Sequence, residues 1–320
     1  MLESLDVALA LGGGAARGLA HIGIIRELEA MGLRIRAVAG TSIGSVIGGV
    51  YCAGGLDDYE AFVRSLDARR MLRLLDPVFP TSGLLGGQRV MNELYGMLGH
   101  HAIESLDVPF VAVAADLYSG EEVRIASGDL VEAMRASWAI PGIFTPVELD
   151  GRWLVDGGVA APVPLAAARE LGDGLPVIAV NLNNSDLVFS GEILSLMESL
   201  DATRHPPKRM RRILERLRGR ARTEPSIVSS AHYGLTHLEH RLTRFQVAAD
   251  PPDLLLEPAV YGVGLFDFHH APELIEAGVD VVRRAVKEDR FKELAAKARL
   301  RGHRQRWLRE RPGTASRTAD

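Results

Sequence analysis

The sequence predicts an α/β fold whose sheet begins with parallel strands, on three observations. Residues 5–11 form an apolar run broken only by Asp6, and they pass through a glycine tip into a helical pattern. Residues 35–39 repeat the same strand-to-helix passage one unit later. The chain, 320 residues with 47% hydrophobic and 24% charged side chains, is also large and apolar enough to bury a sizeable core.

The first strand ends at Gly12-Gly13-Gly14-Ala15-Ala16-Arg17-Gly18, and a helix over 19–31 follows, with Ile22, Ile25, Leu28 and Met31 on one side and Gly32 as its stop. A dinucleotide fingerprint wants glycine at the first, third and sixth places and an acid at the end of strand two. Counted from Gly12 the sixth place is Arg17, and counted from Gly13 the third is Ala15. Strand two ends without an acid, so an NADP-binding oxidoreductase would have to use Arg34 or Arg36. The competing reading makes the tip an oxyanion hole, in which N–H groups of small residues approach a tetrahedral oxyanion and Arg17 fixes the loop.

Strand two runs into Gly40-Thr41-Ser42-Ile43-Gly44, and residues 45–53 continue as an apolar helix stopped by Gly54-Gly55. A serine on such a bend, with glycine two places to either side, has an exposed hydroxyl at a helix N-terminus, where negative charge is favoured. Ser42 is therefore a candidate nucleophile; the plainer alternative is an N-cap in a glycine-rich turn. In a parallel βαβ unit the ends of strands one and two are neighbours, so the glycine tip and Ser42 would face each other.

Residues 56–76 read as helical, 77–87 as a loop and 90–98 as a helix. Strands at 108–115 and 122–126 flank a turn and predict a hairpin, and a short helix at 130–138 stops before Pro141. Residues 144–149 and 153–155 read as strands around Asp150-Gly151, and the second ends at Asp156-Gly157-Gly158. Asp-Gly is a common turn former, but beside a serine elbow and a glycine tip Asp156 becomes a candidate general base. An aspartate is a weak base unless partly desolvated, and Trp153, Leu154 and Val155 are the expected apolar lining. Residues 176–182 form a buried strand, 254–256 return to the sheet and 272–286 form a helix.

The glycine tip, the Ser42 elbow and Asp156-Gly157-Gly158, in that order, resemble the three signatures of the patatin-like phospholipase family. Residues 136–142, 159–164 and 264–268 resemble its bacterial members too, so the resemblance spans residues 5–290. It implies a three-layer α/β/α fold with a mainly parallel sheet, and a Ser–Asp dyad that hydrolyses acyl esters of lipids without a catalytic histidine. By position it implies Ser42 as nucleophile, Asp156 as base, and Gly13, Gly14 and Ala15 as the oxyanion loop, supported by Gly12, Arg17, Gly18, Gly40, Gly44, Gly157 and Gly158. The family usually has a third glycine where this chain has Ala15, and bacterial relatives often carry asparagine within the 159–162 segment, here Val159-Ala160-Ala161-Pro162. A Ser–His–Asp alternative would draw on His205, His232, His237, His240, His269 or His270, which all follow Asp156, but such folds place the serine after more strands. His21 reads as structural.

The expected activity is that of a serine lipid acyl hydrolase of the phospholipase A, lysophospholipase or esterase type, with no metal or organic cofactor. The alternative is a regulatory or lipid-binding protein on the same fold. The acidic start and the lack of a long apolar run predict no signal peptide and no membrane span. Cys52 reads as a small buried hydrophobe, and a cytoplasmic location is expected. Residues 1–203 carry 13 Lys and Arg against 26 Asp and Glu, so the net charge of −4 hides a basic remainder concentrated in 204–222 and 283–311. Such runs suit solvated faces or peripheral contact with an anionic membrane; no nucleic-acid partner is expected. A hydrolase domain over 1–296 is expected to contain a helical insertion at 184–249, serving as a lipid-facing lid, a homo-oligomer contact or a mobile linker. The basic tail from 297 is expected to be disordered.

Overall fold

The computed structural model describes residues 5–78, 83–183 and 227–299. The strands are β1 (Asp6–Leu11), β2 (Arg34–Thr41), β3 (Phe110–Asp116), β4 (Glu122–Ile125), β5 (Val147–Leu149), β6 (Arg152–Asp156), β7 (Val177–Val180) and β8 (Leu254–Leu256). The helices are α1 (Ala20–Ala30), α2 (Ile43–Cys52), α3 (Leu56–Arg64), α4 (Ala68–Leu74), α5 (Gln88–Leu98), α6 (Leu130–Ser137), α7 (Leu165–Leu171), α8 (Ile227–Ala249) and α9 (Ala271–Lys287). One sheet joins the strands in the order β5-β6-β3-β2-β1-β7-β8, with β4 paired to β3 off that path. The β3-β2-β1-β7-β8 stretch is parallel, and the pairings of β3 with β4, β3 with β6 and β5 with β6 are antiparallel.

A central parallel strand must bury both faces, and β1 shows how the sequence meets that demand. Val7, Leu9 and Leu11 join the large core built with α1, α2, α6 and α9, while Ala8 and Ala10 join a smaller one with Leu165, Ala167 and Ala168 of α7. Helices on both faces make three layers. On the larger side α9 crosses α1 where both are glycine: a Cβ on Gly23 would lie 1.9 Å from the Ile275 carbonyl oxygen, and one on Gly278 would lie 2.0 Å from that of Ala20.

The helical stretch expected over 56–76 is two helices: the first ends at Arg64, and Asp67 caps the second by accepting from the Arg70 N–H at 2.6 Å. The strand expected from 144 starts only at Val147. The expected insertion is described only in α8, and 184–226 lie outside the described residues. Of the tail expected to be disordered from 297, residues 297–299 continue a helical stretch that begins before it, and 300–320 lie outside the described residues.

Candidate active site

One edge of β3 brings the two candidate catalytic side chains together. Ala112 and Val113 pair with Gly40 and Thr41 of β2 on one side and with Ile125 and Arg124 of β4 on the other. Ala114 keeps Val123 on the β4 side, so Asp156 of β6 takes the side that β2 has just left. β2 and β6 therefore approach along the same edge from opposite ends, and Ser42 meets Asp156 where they stop.

The junction is pinned by side chains. Ser137, at the end of α6, accepts the Ser42 N–H at 2.9 Å and donates to the Val113 carbonyl at 2.6 Å, bridging the gap where β2 departs. Thr41 donates to the Ala161 carbonyl at 2.7 Å and ties the elbow to the loop after β6. Ser42 has φ 55° and ψ −124°, a left-handed strain that a serine tolerates only when its surroundings impose it. Gly44 provides the clearance, since a Cβ there would lie 2.1 Å from the Leu11 carbonyl oxygen.

Ser42 Oγ–H donates to Asp156 Oδ2 at 2.6 Å, and Asp156 Oδ1 accepts the Gly158 N–H at 2.8 Å. Both residues are buried. Burial pushes the Asp156 pKa up to about 6, against the lowering effect of those two hydrogen bonds. Of the lining expected for it, Leu154 and Val155 are buried but Trp153 is 40% exposed. The tryptophan beside the site is instead Trp138, because side chains alternate along β6 and Trp153 falls on the outward face.

Gly13, grouped with the oxyanion donors above, needs correction. Its N–H donates to the Pro162 carbonyl at 2.9 Å, so its contribution is clearance: a Cβ there would lie 3.3 Å from Ser42 Cβ. The N–H groups of Gly14 and Ala15 have no partner among the described residues, and both residues line the cavity at Ser42. Ala15 takes φ 52°, the conformation a glycine would adopt without strain. Arg17 holds this loop by donating to the Gly14 and Leu182 carbonyls and to Asn183 Oδ1 at 3.1, 3.2 and 2.9 Å. His21 does the same from below: burial lowers its pKa to about 4, and the neutral ring bonds the Gly12 carbonyl at 2.9 Å through Nε2.

Two cavities open at the site. One, about 110 Å³, is lined almost wholly by apolar side chains, among them Val46, Val63, Leu74, Leu94, Trp138 and Phe266. The other, about 40 Å³, contains Asp156, Arg17, Asn183 and Glu239. Glu239 carries no local signal of a role in the sequence, whereas Ser137 falls in the 136–142 stretch that resembles the family's bacterial members. Among the described residues no histidine hydrogen-bonds Asp156, and His240 instead bonds the Asn183 carbonyl. The NADP alternative fails on placement. Arg34 and Arg36 sit at or near the start of β2, both bonded to Asp6, at the opposite end of the sheet from the glycine tip. Among the described residues no cluster suited to a metal ion is present.

A buried serine hydroxyl on a strained strand-to-helix turn, donating to a buried carboxylate beside two backbone N–H groups without a partner among the described residues, can pass its proton to that carboxylate as it attacks an electrophile. The model of the patatin-like phospholipase family matches residues 9–169. The uncharacterized NTE family protein Rv1063c of Mycobacterium tuberculosis is 46% identical over 184 residues, which cover 58% of this chain and 51% of that one. A second uncharacterized NTE family protein from the same species, Rv2565, is 31% identical over 295 residues, 88% of this chain and 46% of its own. The mouse patatin-like phospholipase domain-containing protein 6 is 32% identical over 192 residues, 58% of this chain and 14% of its own. The chain thus spans about half the length of the mycobacterial relatives it matches. Among solved structures, VipD from Legionella pneumophila aligns at a TM-score of 0.41 and 14% identity over 92% of this chain and 67% of that one. The chain belongs to the patatin-like phospholipase family.

Proposed function

We propose that this chain is a serine acyl hydrolase acting on lipid esters through Ser42 and Asp156. The observation that carries the reading is the 2.6 Å hydrogen bond from the Ser42 hydroxyl to the Asp156 carboxylate. Asp156 takes the serine proton as Oγ attacks the ester carbonyl, and the Gly14 and Ala15 N–H groups receive the charge that develops on the carbonyl oxygen. Asp156 then hands the proton to the departing alcohol and activates water to release the acyl group. The apolar cavity beside Ser42 suits a fatty-acyl chain. A regulatory protein without turnover would leave both the strained serine and its pairing with a buried base unexplained.

The reading extends to a cytoplasmic protein that meets its substrate at an anionic membrane surface through its basic segments. Among the described residues no helix is long and apolar enough to cross a membrane. Hydrolysis of a long-chain monoacyl ester by the native chain, Ser42→Ala and Asp156→Asn tests the core of the proposal. The expected outcome is activity in the native chain and a loss of about 100-fold or more in each variant. Equal rates in all three would refute it.

A further inference from the structure

Ser42 lies where the two cavities meet, and Ala15, Ile140 and Leu265 also line both. Asp156 lines the polar cavity and not the apolar one. That asymmetry assigns a side to each half of an ester. The proton that Asp156 takes from Ser42 must go to the leaving oxygen, so the leaving alcohol occupies the polar cavity and the acyl chain the apolar one.

Among the described residues three ionisable side chains meet in that polar cavity. Asp156 comes from the end of β6 and is engaged with Ser42 and Gly158. Arg17 comes from the turn after β1 and is engaged with Gly14, Leu182 and Asn183. Glu239 comes from α8, and its carboxyl has no hydrogen-bond partner among the described residues. A Cβ built on Gly158 would lie 2.8 Å from Glu239 Oε1 and 3.2 Å from Asp156 Oδ1, so the two carboxyl groups flank the same point. On its own helix, His240 bonds the Asn183 carbonyl and Thr243 donates to the Glu239 backbone carbonyl.

We propose, resting on the hydrolase reading above, that Glu239 selects the leaving group: ionised, it excludes an alcohol with net negative charge from a phosphodiester, whereas an uncharged polyol is accepted in either protonation state. The carboxyl is placed to contact whatever leaves with the ester oxygen, and it is the acid there that the chemistry at Ser42 does not use. Burial, and then the Asp156 charge, push Glu239 up to about 8, with Arg17 opposing. Below that pH the neutral carboxyl can donate a hydrogen bond to a phosphate oxygen. Above it, two like charges would be forced together in a partly desolvated site.

The test compares two esters with the same acyl chain, a monoacylglycerol and an acylglycerophosphoglycerol, whose phosphodiester keeps one negative charge throughout. The quantity read is the ratio of kcat/KM, anionic over neutral, in which the titration of Asp156 cancels. In the native chain the ratio should fall roughly tenfold between about pH 7 and pH 9, as expected when only the protonated carboxyl admits the anion. In Glu239→Gln it should be flat and higher at the alkaline end. A flat ratio in the native chain, or an equal fall in the variant, overturns the assignment while leaving the hydrolase intact. If the native chain cleaves neither ester, the hydrolase reading and this proposal fall together.

Discussion

In the proposed mechanism Asp156 must satisfy two opposed demands. It has to be ionised to accept the Ser42 proton, yet a carboxylate in water is too weak a base to do so usefully. Burial resolves the conflict by raising its pKa to about 6, while the Ser42 and Gly158 hydrogen bonds keep it from rising further. The sign is simple: protonated Asp156 is inactive, so kcat/KM should climb as pH rises through about 6 and level off above it. Initial rates on an uncharged ester measure this, and a profile flat down to about pH 4, near the ordinary aspartate value, would mean that the base is another group. At this scale Ser42 and Asp156 were legible because each sits on a turn punctuated by glycine. Gly13 was not, because its N–H is claimed by Pro162, and a sequence does not show which carbonyl wins a given donor. Glu239 was hidden for a related reason. It is one charged residue among many on a helix whose neighbours are set by the fold.

Among the elements, β3 does most to build the site. Its edge receives β2 as far as Thr41 and β6 from Asp156 onward, and Ser137 of α6 fills the seam between them. Ser137→Ala would leave the buried Ser42 N–H and the buried Val113 carbonyl without that partner. The expected cost is about 1–3 kcal/mol of stability, with a fall in kcat as the elbow loosens. Chemical denaturation and steady-state kinetics check both, and a variant with unchanged midpoint and rate would remove Ser137 from the account. The strand-turn-helix order and the β3–β4 hairpin could be read from periodicity and turn residues. The meeting of β2 and β6 could not, because strand order in a sheet depends on long-range pairing that local pattern does not encode.

Across the whole molecule, the sheet separates two chemistries. The glycine tip and the elbow stand at its carboxyl edge, with the apolar cavity and the polar one opening at the same serine. The dinucleotide alternative foundered at this scale, since its arginines lie at the other end of β2. The three ordered motifs made the family legible from sequence. The cavities were not, since their walls are assembled from helices far apart in the chain. The central claim is that Ser42 Oγ is the nucleophile and that Asp156 activates it. A long-alkyl fluorophosphonate, whose chain suits the apolar cavity, tests this most directly when the adduct is located by mass spectrometry after tryptic digestion. The account predicts the added mass on the peptide spanning residues 37–64, its absence in Ser42→Ala, and labelling slowed by about 100-fold or more in Asp156→Asn. An adduct on any other peptide, or undiminished labelling of Ser42→Ala, would contradict it.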